Sequence, residues 1–206
     1  MNPKPVPDIV VGRLPRYLQA LEHMLLKGIK TTSSQELGES IGISAAQIRK
    51  DLSQFGEFGK QGTGYSTSYL VTQLQTILNA NQVWDLALVG IGGLGSALAH
   101  YQGFSNRDFR IVLAFDNNPE KINKKINGLI IMDIVHIPEQ IRAKNVKIAM
   151  LTVPASVAQT TTDQLVLGGI RAILNYAPIS LNVPSGIHVE NLDPIIMLQH
   201  MTYYLK

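Results

Sequence analysis

Val83-Trp84-Asp85-Leu86-Ala87-Leu88-Val89 runs without a break into Gly90-Ile91-Gly92-Gly93-Leu94-Gly95. The apolar run reads as a buried strand, and the residues after the glycines, through Ala97, Leu98 and Tyr101, read as a helix. The next strand, Arg110 to Phe115, ends in Asp116, about twenty residues beyond the last glycine. Strand, G-x-G-x-x-G turn, helix, strand and acid, in that order, is the arrangement a dinucleotide needs. Gly90 gives the tight turn, Gly92 lets a pyrophosphate approach the backbone, and Gly95 allows close packing of helix on strand. Ile91, Gly93 and Leu94 complete the turn, whose free N–H groups face the phosphates. Asp116 is expected to accept hydrogen bonds from both ribose hydroxyls and to repel a 2′-phosphate, which favours NAD over NADP. On pattern alone, a doubly wound domain that binds another nucleotide, or none, stays open.

Downstream, strand-like runs at Leu129–Met132, Val146–Val153, Ala172–Asn175 and Ile187–Glu190 alternate with helical stretches at Pro138–Arg142 and Ala155–Leu167. Such alternation implies an α/β fold, a doubly wound parallel sheet covered on both faces. Asp193-Pro194 is a cap followed by proline at the first helical position. The helix it opens carries Ile195, Ile196, Leu198, Met201, Tyr204 and Leu205, apolar on most sides, and calls for a partner subunit, with packing on its own sheet as the alternative. Little chain remains beyond the sheet to supply a substrate domain. His100, His136 and His188 have no carboxylate at motif spacing and read as structural, so no catalytic and no metal-binding residue is assigned. The dinucleotide is a ligand in this reading rather than a hydride donor.

Upstream, the pattern changes character near Asn79–Gln82. Leu14, Leu18, Leu21 and Leu25 recur at helical spacing, with Gly28 as a stop. Ser33 or Ser34 caps a second helix, Gly42 breaks it, and Ser44 caps a third that is expected to run from Ala45 to about Phe55. Two short helices joined by a tight glycine turn form a helix-turn-helix unit. Its candidate recognition helix carries Ser44, Gln47, Arg49 and Lys50 where DNA would lie. Arg49 and Lys50 point about 100° apart, so one of them faces the bases. The glycines between Gly56 and Gly64, with Phe58 and Tyr65 among them, suit a β-hairpin whose tip approaches another backbone, and Lys60 lies in it. Thr67 to Leu78 reads as a fourth helix. A solvated helical dimerisation domain is the alternative on pattern alone. The expected organisation is residues 1–80 for DNA binding, 81–192 for NAD(H) and 193–206 for dimerisation.

Bulk properties agree without deciding. The 206 residues are 45% hydrophobic and 16% charged, as in a globular chain with a sizeable core. The absence of cysteine excludes a disulfide framework, a thiolate zinc site and a cysteine nucleophile, and fits the reducing cytoplasm. The polar, proline-rich start does not read as a signal peptide, and no apolar run is long enough to span a bilayer. A net charge of +3 permits nucleic-acid binding without arguing for it.

Along nearly its whole length the chain resembles the redox-sensing repressor Rex family. The resemblance rests on Arg13-Leu14-Pro15, Ile48-Arg49-Lys50-Asp51-Leu52-Ser53, Phe55-Gly56-Glu57-Phe58-Gly59-Lys60 and Gly62-Thr63-Gly64-Tyr65. In the second half it rests on the glycine turn, Tyr101-Gln102-Gly103-Phe104, Phe115-Asp116, Leu151-Thr152-Val153-Pro154-Ala155, Ile173-Leu174-Asn175-Tyr176-Ala177-Pro178 and Val189-Glu190-Asn191-Leu192-Asp193. It implies a homodimeric repressor of transcription with a winged helix-turn-helix domain, a Rossmann domain and a terminal helix swapped between subunits. Such a repressor is released from a palindromic DNA operator by NADH. By position, it implies Arg49 and Lys50 in the recognition helix and Lys60 in the wing. Thr152, Val153, Pro154, Asn175, Tyr176, Ala177 and Pro178 fall close to the nicotinamide half, and Tyr101 and Asp193 couple ligand state to dimer closure. Two positions depart from the family. Gln19 stands where an arginine able to pair with the terminal aspartate is common, and Gln61 where a further wing cation is common. Arg13 or Arg16 is the candidate substitute. A redox-insensitive paralogue, a small NAD-dependent oxidoreductase and a CoA-binding domain are the competing readings.

Overall fold

The computed structural model describes residues 6–59 and 64–205. The chain divides into two compact units, the first ending at Gln82 and the second beginning at Val83.

The first unit is helical. α1 (Asp8–Val11) leads into α2 (Leu14–Leu26), which buries Leu14, Tyr17 and Leu21 completely. α3 (Ser34–Ile41) begins with a capping box: Ser33 Oγ accepts from the Glu36 N–H at 3.1 Å, and Glu36 Oε2 accepts from the Ser33 N–H at 2.6 Å. Left-handed Gly42 turns the chain, and Ser44 Oγ accepts from the Gln47 N–H to start α4 (Ala45–Leu52). That helix stops short of Phe55, because the Gln54 and Phe55 N–H groups tighten to the carbonyls of Asp51 and Leu52, three residues back. α5 (Thr67–Ile77) closes the core with Leu70, Val71 and Leu74 against Leu37, Ile48, Leu52 and Phe58.

The glycine segment departs from a simple hairpin. The strand that follows it, β2 (Tyr65–Ser66), pairs antiparallel with β1 (Thr31–Thr32) rather than with residues just before the glycines. The close backbone approach is real at its base: a Cβ on Gly64 would sit 2.6 Å from the Thr32 carbonyl oxygen. The expected tip, with Lys60 and Gln61, lies outside the described residues.

The second unit is a seven-stranded sheet. Its strands are β3 (Trp84–Val89), β4 (Phe109–Asp116), β5 (Lys125–Ile126), β6 (Leu129–Asp133), β7 (Ile148–Leu151), β8 (Ala172–Asn175) and β9 (His188–Asn191), in the order β5-β6-β4-β3-β7-β8-β9. All neighbours run parallel except β5, which forms a hairpin with β6 that the pattern reading missed. Alternation along β3 sends Ala87 and Val89 to one face, where α7 (Ile137–Lys144) and α8 (Ala155–Gly168) cover them with Ile137, Ile141, Ala158 and Leu165. Leu86 and Leu88 point to the other face, which α6 (Gly93–Ala99) helps to close. The chain leaves β3 towards β4 on one side and later returns to β7 on the other, so a crevice opens at the carboxyl ends of these strands.

α9 (Pro194–Thr202) has no buried residue. Ile195, Leu198 and Met201 are each more than half exposed. Packing on the sheet of its own chain, the alternative to a partner, does not occur. Among the described residues, no helix is long and apolar enough to cross a membrane.

Candidate functional site

A cavity of about 410 Å³ occupies that crevice, within the range of small-molecule sites. Gly90 and Gly92 from the turn after β3, Asp116 from the end of β4, and Thr152, Val153 and Pro154 from the turn after β7 all line it. The turn is built by close approach. A Cβ on Gly95 would fall 1.9 Å from the Gly90 carbonyl oxygen, and one on Gly90 would fall 2.6 Å from that of Thr152. Thr152 ties the two turns together, donating from Oγ1 to the carbonyl oxygens of Gly90 and Val89 at 2.6 and 3.0 Å. A Cβ on Gly92 would point into open space, and no side chain caps the first turn of α6. The N–H groups there remain for an anion. The donor set therefore fits a pyrophosphate over the glycine turn.

Asp116 is 5% exposed. Its Oδ2 accepts from the Ile91 N–H at 2.7 Å and from Lys121 Nζ at 3.2 Å, and its Oδ1 accepts from the Asn118 N–H at 2.8 Å. Burial alone would push this carboxyl up, but the two backbone donors and Lys121 outweigh it and hold the group below the usual carboxylate range. Of roughly four acceptor positions on a carboxylate, three are engaged. Acceptance from both ribose hydroxyls therefore needs Lys121 to move aside. Lys121 itself, with Asn117 and Asn118, lines the cavity and was not singled out by pattern, since no motif places a cation five residues after the acid. Its charge also offsets part of the repulsion that Asp116 would offer a 2′-phosphate.

The other expected ligand residues do not line this cavity. Ile91 and Gly95 are buried within the turn, whereas Gly93 and Leu94 are exposed. Asn175 is 1% exposed. Its Nδ2 donates to the carbonyls of Ala177 and Ile179 and to Asn191 Oδ1, and its Oδ1 accepts from the Ala177 N–H. Every hydrogen of that amide is spent inside the protein, on the segment after β8 and on Asn191 of β9. Tyr176 is half-buried, which pushes its hydroxyl above the ordinary tyrosine value. Tyr101 is 61% exposed and stacks edge-on with Phe104 at 5.3 Å. Asp193 accepts from the Ile195 N–H at 2.9 Å and caps α9.

The histidines do have polar neighbours, contrary to expectation for two of them. His136 lies 3.9 Å from Glu139 and His188 lies 3.5 Å from Glu190, but all four side chains are exposed, where such pairs contribute little. His100 Nδ1 meets the Ser96 carbonyl oxygen at 2.8 Å. Among the described residues, no group of three His, Asp or Glu side chains is placed to hold a metal.

In the helical unit, α4 turns Ile48, Asp51 and Leu52 inward and leaves Arg49 and Lys50 exposed. Arg49 Nη1 donates to Ser34 Oγ at 2.9 Å across the helix-turn-helix. Ser44 and Gln47 are committed locally, Ser44 as the cap and Gln47 through a 2.7 Å bond from Nε2 to Asp51 Oδ1. Asp51, 1% exposed, also receives Arg13 through Nε and Nη2 at 2.6 and 2.7 Å and the Tyr17 hydroxyl at 2.6 Å. Burial would raise the Asp51 carboxyl, and these donors hold it below the usual range. Burial and the bond to Asp51 push the Tyr17 hydroxyl up to about 12. Arg13 is thus engaged and is not a free substitute for the absent arginine at Gln19. Arg16 donates to the Ile41 carbonyl at 3.0 Å and shares a groove with Gln19, His23 and Lys27.

Comparison with known proteins agrees with this geometry in both units. Residues 5–53 match a family described as putative DNA-binding protein N-terminus, and residues 81–179 match the CoA binding domain family. A redox-sensing transcriptional repressor Rex from Chloroflexus aurantiacus is 51% identical, over 97% of this chain and 94% of that protein. The crystal structure of RSP in complex with β-NAD+ and operator DNA superposes with a TM-score of 0.92 and 38% identity, over 98% of this chain and 93% of that one. The structure of RSP in complex with β-NADH gives 0.88 and 36%, over 97% and 94%. The chain belongs to the redox-sensing transcriptional repressor Rex family.

Proposed function

We propose that this protein is a cytoplasmic, homodimeric transcriptional repressor that binds a palindromic operator and is released from it by NADH. The observation that carries the reading is the cavity joining the glycine turn to Asp116, in a chain that matches an NAD+- and DNA-bound repressor over nearly its whole length. In this reading residues 1–80 bind DNA, 81–192 bind NAD(H) and 193–206 dimerise. It is a regulator rather than an enzyme, and its place is with the DNA.

Arg49 and Lys50 make the base and phosphate contacts, with Ser44 and Gln47 setting the start and seating of their helix and Lys60 adding a wing cation. The glycine turn holds the pyrophosphate, and Asp116 receives the adenine-side ribose. Thr152 to Pro154 and Asn175 to Pro178 wall the nicotinamide half. The exposed apolar face of α9 is covered by a second copy, swapped between subunits, since a short helix exposed on every side needs a partner. Tyr101 and Asp193, both able to hydrogen-bond at that junction, couple ligand state to dimer closure. Oxidised nicotinamide carries a positive charge that a closed apolar pocket disfavours. NADH switches the dimer only through its differential affinity for the closed and open states. Gln19 removes an ion-pair partner that could distinguish the two dimer states, and Arg16, which shares a groove with Gln19, is the candidate to replace it.

Calorimetric titration of the full chain with NADH, NAD+ and CoA tests the ligand. NADH is expected to bind most tightly. Preferential binding of CoA, or hydride transfer from NADH to a simple carbonyl compound, would instead favour the CoA-binding or oxidoreductase reading.

A further inference from the structure

The amide of Gln47 is only half used. It stands in the first turn of α4, on the border between the inward residues Ile48, Asp51 and Leu52 and the exposed Ala46, Lys50 and Ser53. Its Nε2 donates to Asp51 Oδ1 at 2.7 Å. Asp51 is held ionised and can only accept, so the nitrogen end of the amide must face it and the oxygen end must turn away. Among the described residues, the side-chain atoms sealed from solvent without a hydrogen-bond partner are Thr67 Oγ1 and Gln164 Oε1. Gln47 Oε1 also has no partner among these residues and is not sealed, so it is open to solvent. On an α-helix Gln47 lies about 60° from Lys50, and Arg49 lies about 100° from Lys50 on the other side. Arg49 is drawn towards α3 by its bond to Ser34. The start of α4 therefore presents a cation, Lys50, beside an acceptor of fixed direction, Gln47 Oε1. In the major groove the complements of an acceptor are the base amino groups, cytosine N4 and adenine N6. A free glutamine can turn over and offer its nitrogen to guanine or thymine instead. Asp51 removes that freedom, and with it part of the ordering cost of binding.

We propose that Gln47 is a specificity-determining residue of the DNA interface: Asp51 holds its amide so that Oε1 accepts from a base amino group, cytosine N4 or adenine N6. This rests on the DNA-binding reading above and fixes one contact within it. The test begins with selection of binding sites from a randomised inverted-repeat DNA library by the full chain and by its Gln47→Met variant. Methionine keeps the length of the side chain and removes the acceptor. Gln47→Met should lose base preference at one position of each half-site and retain it at the others. The base selected there by the wild type says whether the amino group is that of cytosine or of adenine. At that position the base is then replaced by an analogue that lacks only the amino group, 2-pyrimidinone for cytosine or purine for adenine. The replacement in both half-sites should weaken the wild type about tenfold and Gln47→Met by less than about twofold. Each protein's ratio between the two DNAs cancels any general loss of affinity or of folded protein. Identical site preferences in the two proteins, or equal losses on removing the amino group, overturn the proposal while leaving DNA binding intact. Failure of the wild type to enrich any site overturns the DNA-binding reading and this inference with it.

Discussion

Each half of the molecule buries one aspartate, and the two are used in opposite ways. Asp51 at 1% exposure and Asp116 at 5% are equally hidden, and both are held below the usual carboxylate range by their donors. Asp51 spends its capacity inside the protein, on both arms of Arg13, on Tyr17 and on Gln47. Asp116 takes two backbone N–H groups and a lysine, keeps an acceptor position, and faces a cavity. Burial of an acid does not distinguish an anchor from a binding group; the count of its unspent lone pairs does. The anchor seats α4, and the other acid keeps capacity to accept from whatever enters the cavity.

The largest expected effect breaks the anchor. Asp51→Asn should destabilise the helical unit by about 3 kcal/mol in urea unfolding, because Arg13 and Tyr17 lose the charge they surround. A loss as small as that of an exposed substitution would remove the distinction between the two acids. The pH dependence carries the same sign. A carboxyl depressed in the folded state stabilises above its unfolded value of about 3.9 and loses that contribution as pH falls through the folded value. The stability gap between wild type and Asp51→Asn should therefore close below about pH 4 in acid unfolding followed by circular dichroism.

Next, Arg49→Ala with Lys50→Ala should lower operator affinity by about a hundredfold and reduce the salt slope by about one, while leaving unfolding nearly unchanged. A stability loss comparable to that of Asp51→Asn would show that these residues belong to the anchor instead. Asp116→Ala should then weaken NADH by about tenfold in calorimetry, with a smaller loss of stability than Asp51→Asn gives. Unchanged NADH affinity would withdraw the ribose contact. Smallest is Lys121→Met, which should lower NADPH affinity about fivefold more than NADH affinity, because an unpaired Asp116 repels the 2′-phosphate more strongly. Equal changes for the two nucleotides would leave Lys121 without influence on the ribose.

Local chemistry made most of this architecture readable. The strand, glycine turn and acid fall where the sequence places them because each is dictated by near neighbours: close packing at Gly90 and Gly95, a cap at Ser33, a stop at Gly42. The β5–β6 hairpin was equally local and was overlooked; Asn127-Gly128, with φ of 44° and 81°, is the favoured two-residue turn. What could not be read is what joins distant positions. Arg13 looks like a free cation until the fold brings Asp51 to it, 38 residues away. Nothing in the sequence around Asn175 shows that its amide is spent on Ala177, Ile179 and Asn191, the last of them 16 residues away.

The most direct measurement is fluorescence anisotropy of a labelled palindromic operator titrated with the protein, alone, with NADH and with NAD+. Tight binding that NADH abolishes and NAD+ preserves is the expected result, and it would show that Gln19 does not disable the switch. Binding indifferent to NADH would contradict the redox-sensing claim and leave a redox-blind repressor. No binding under any condition would contradict the repressor itself.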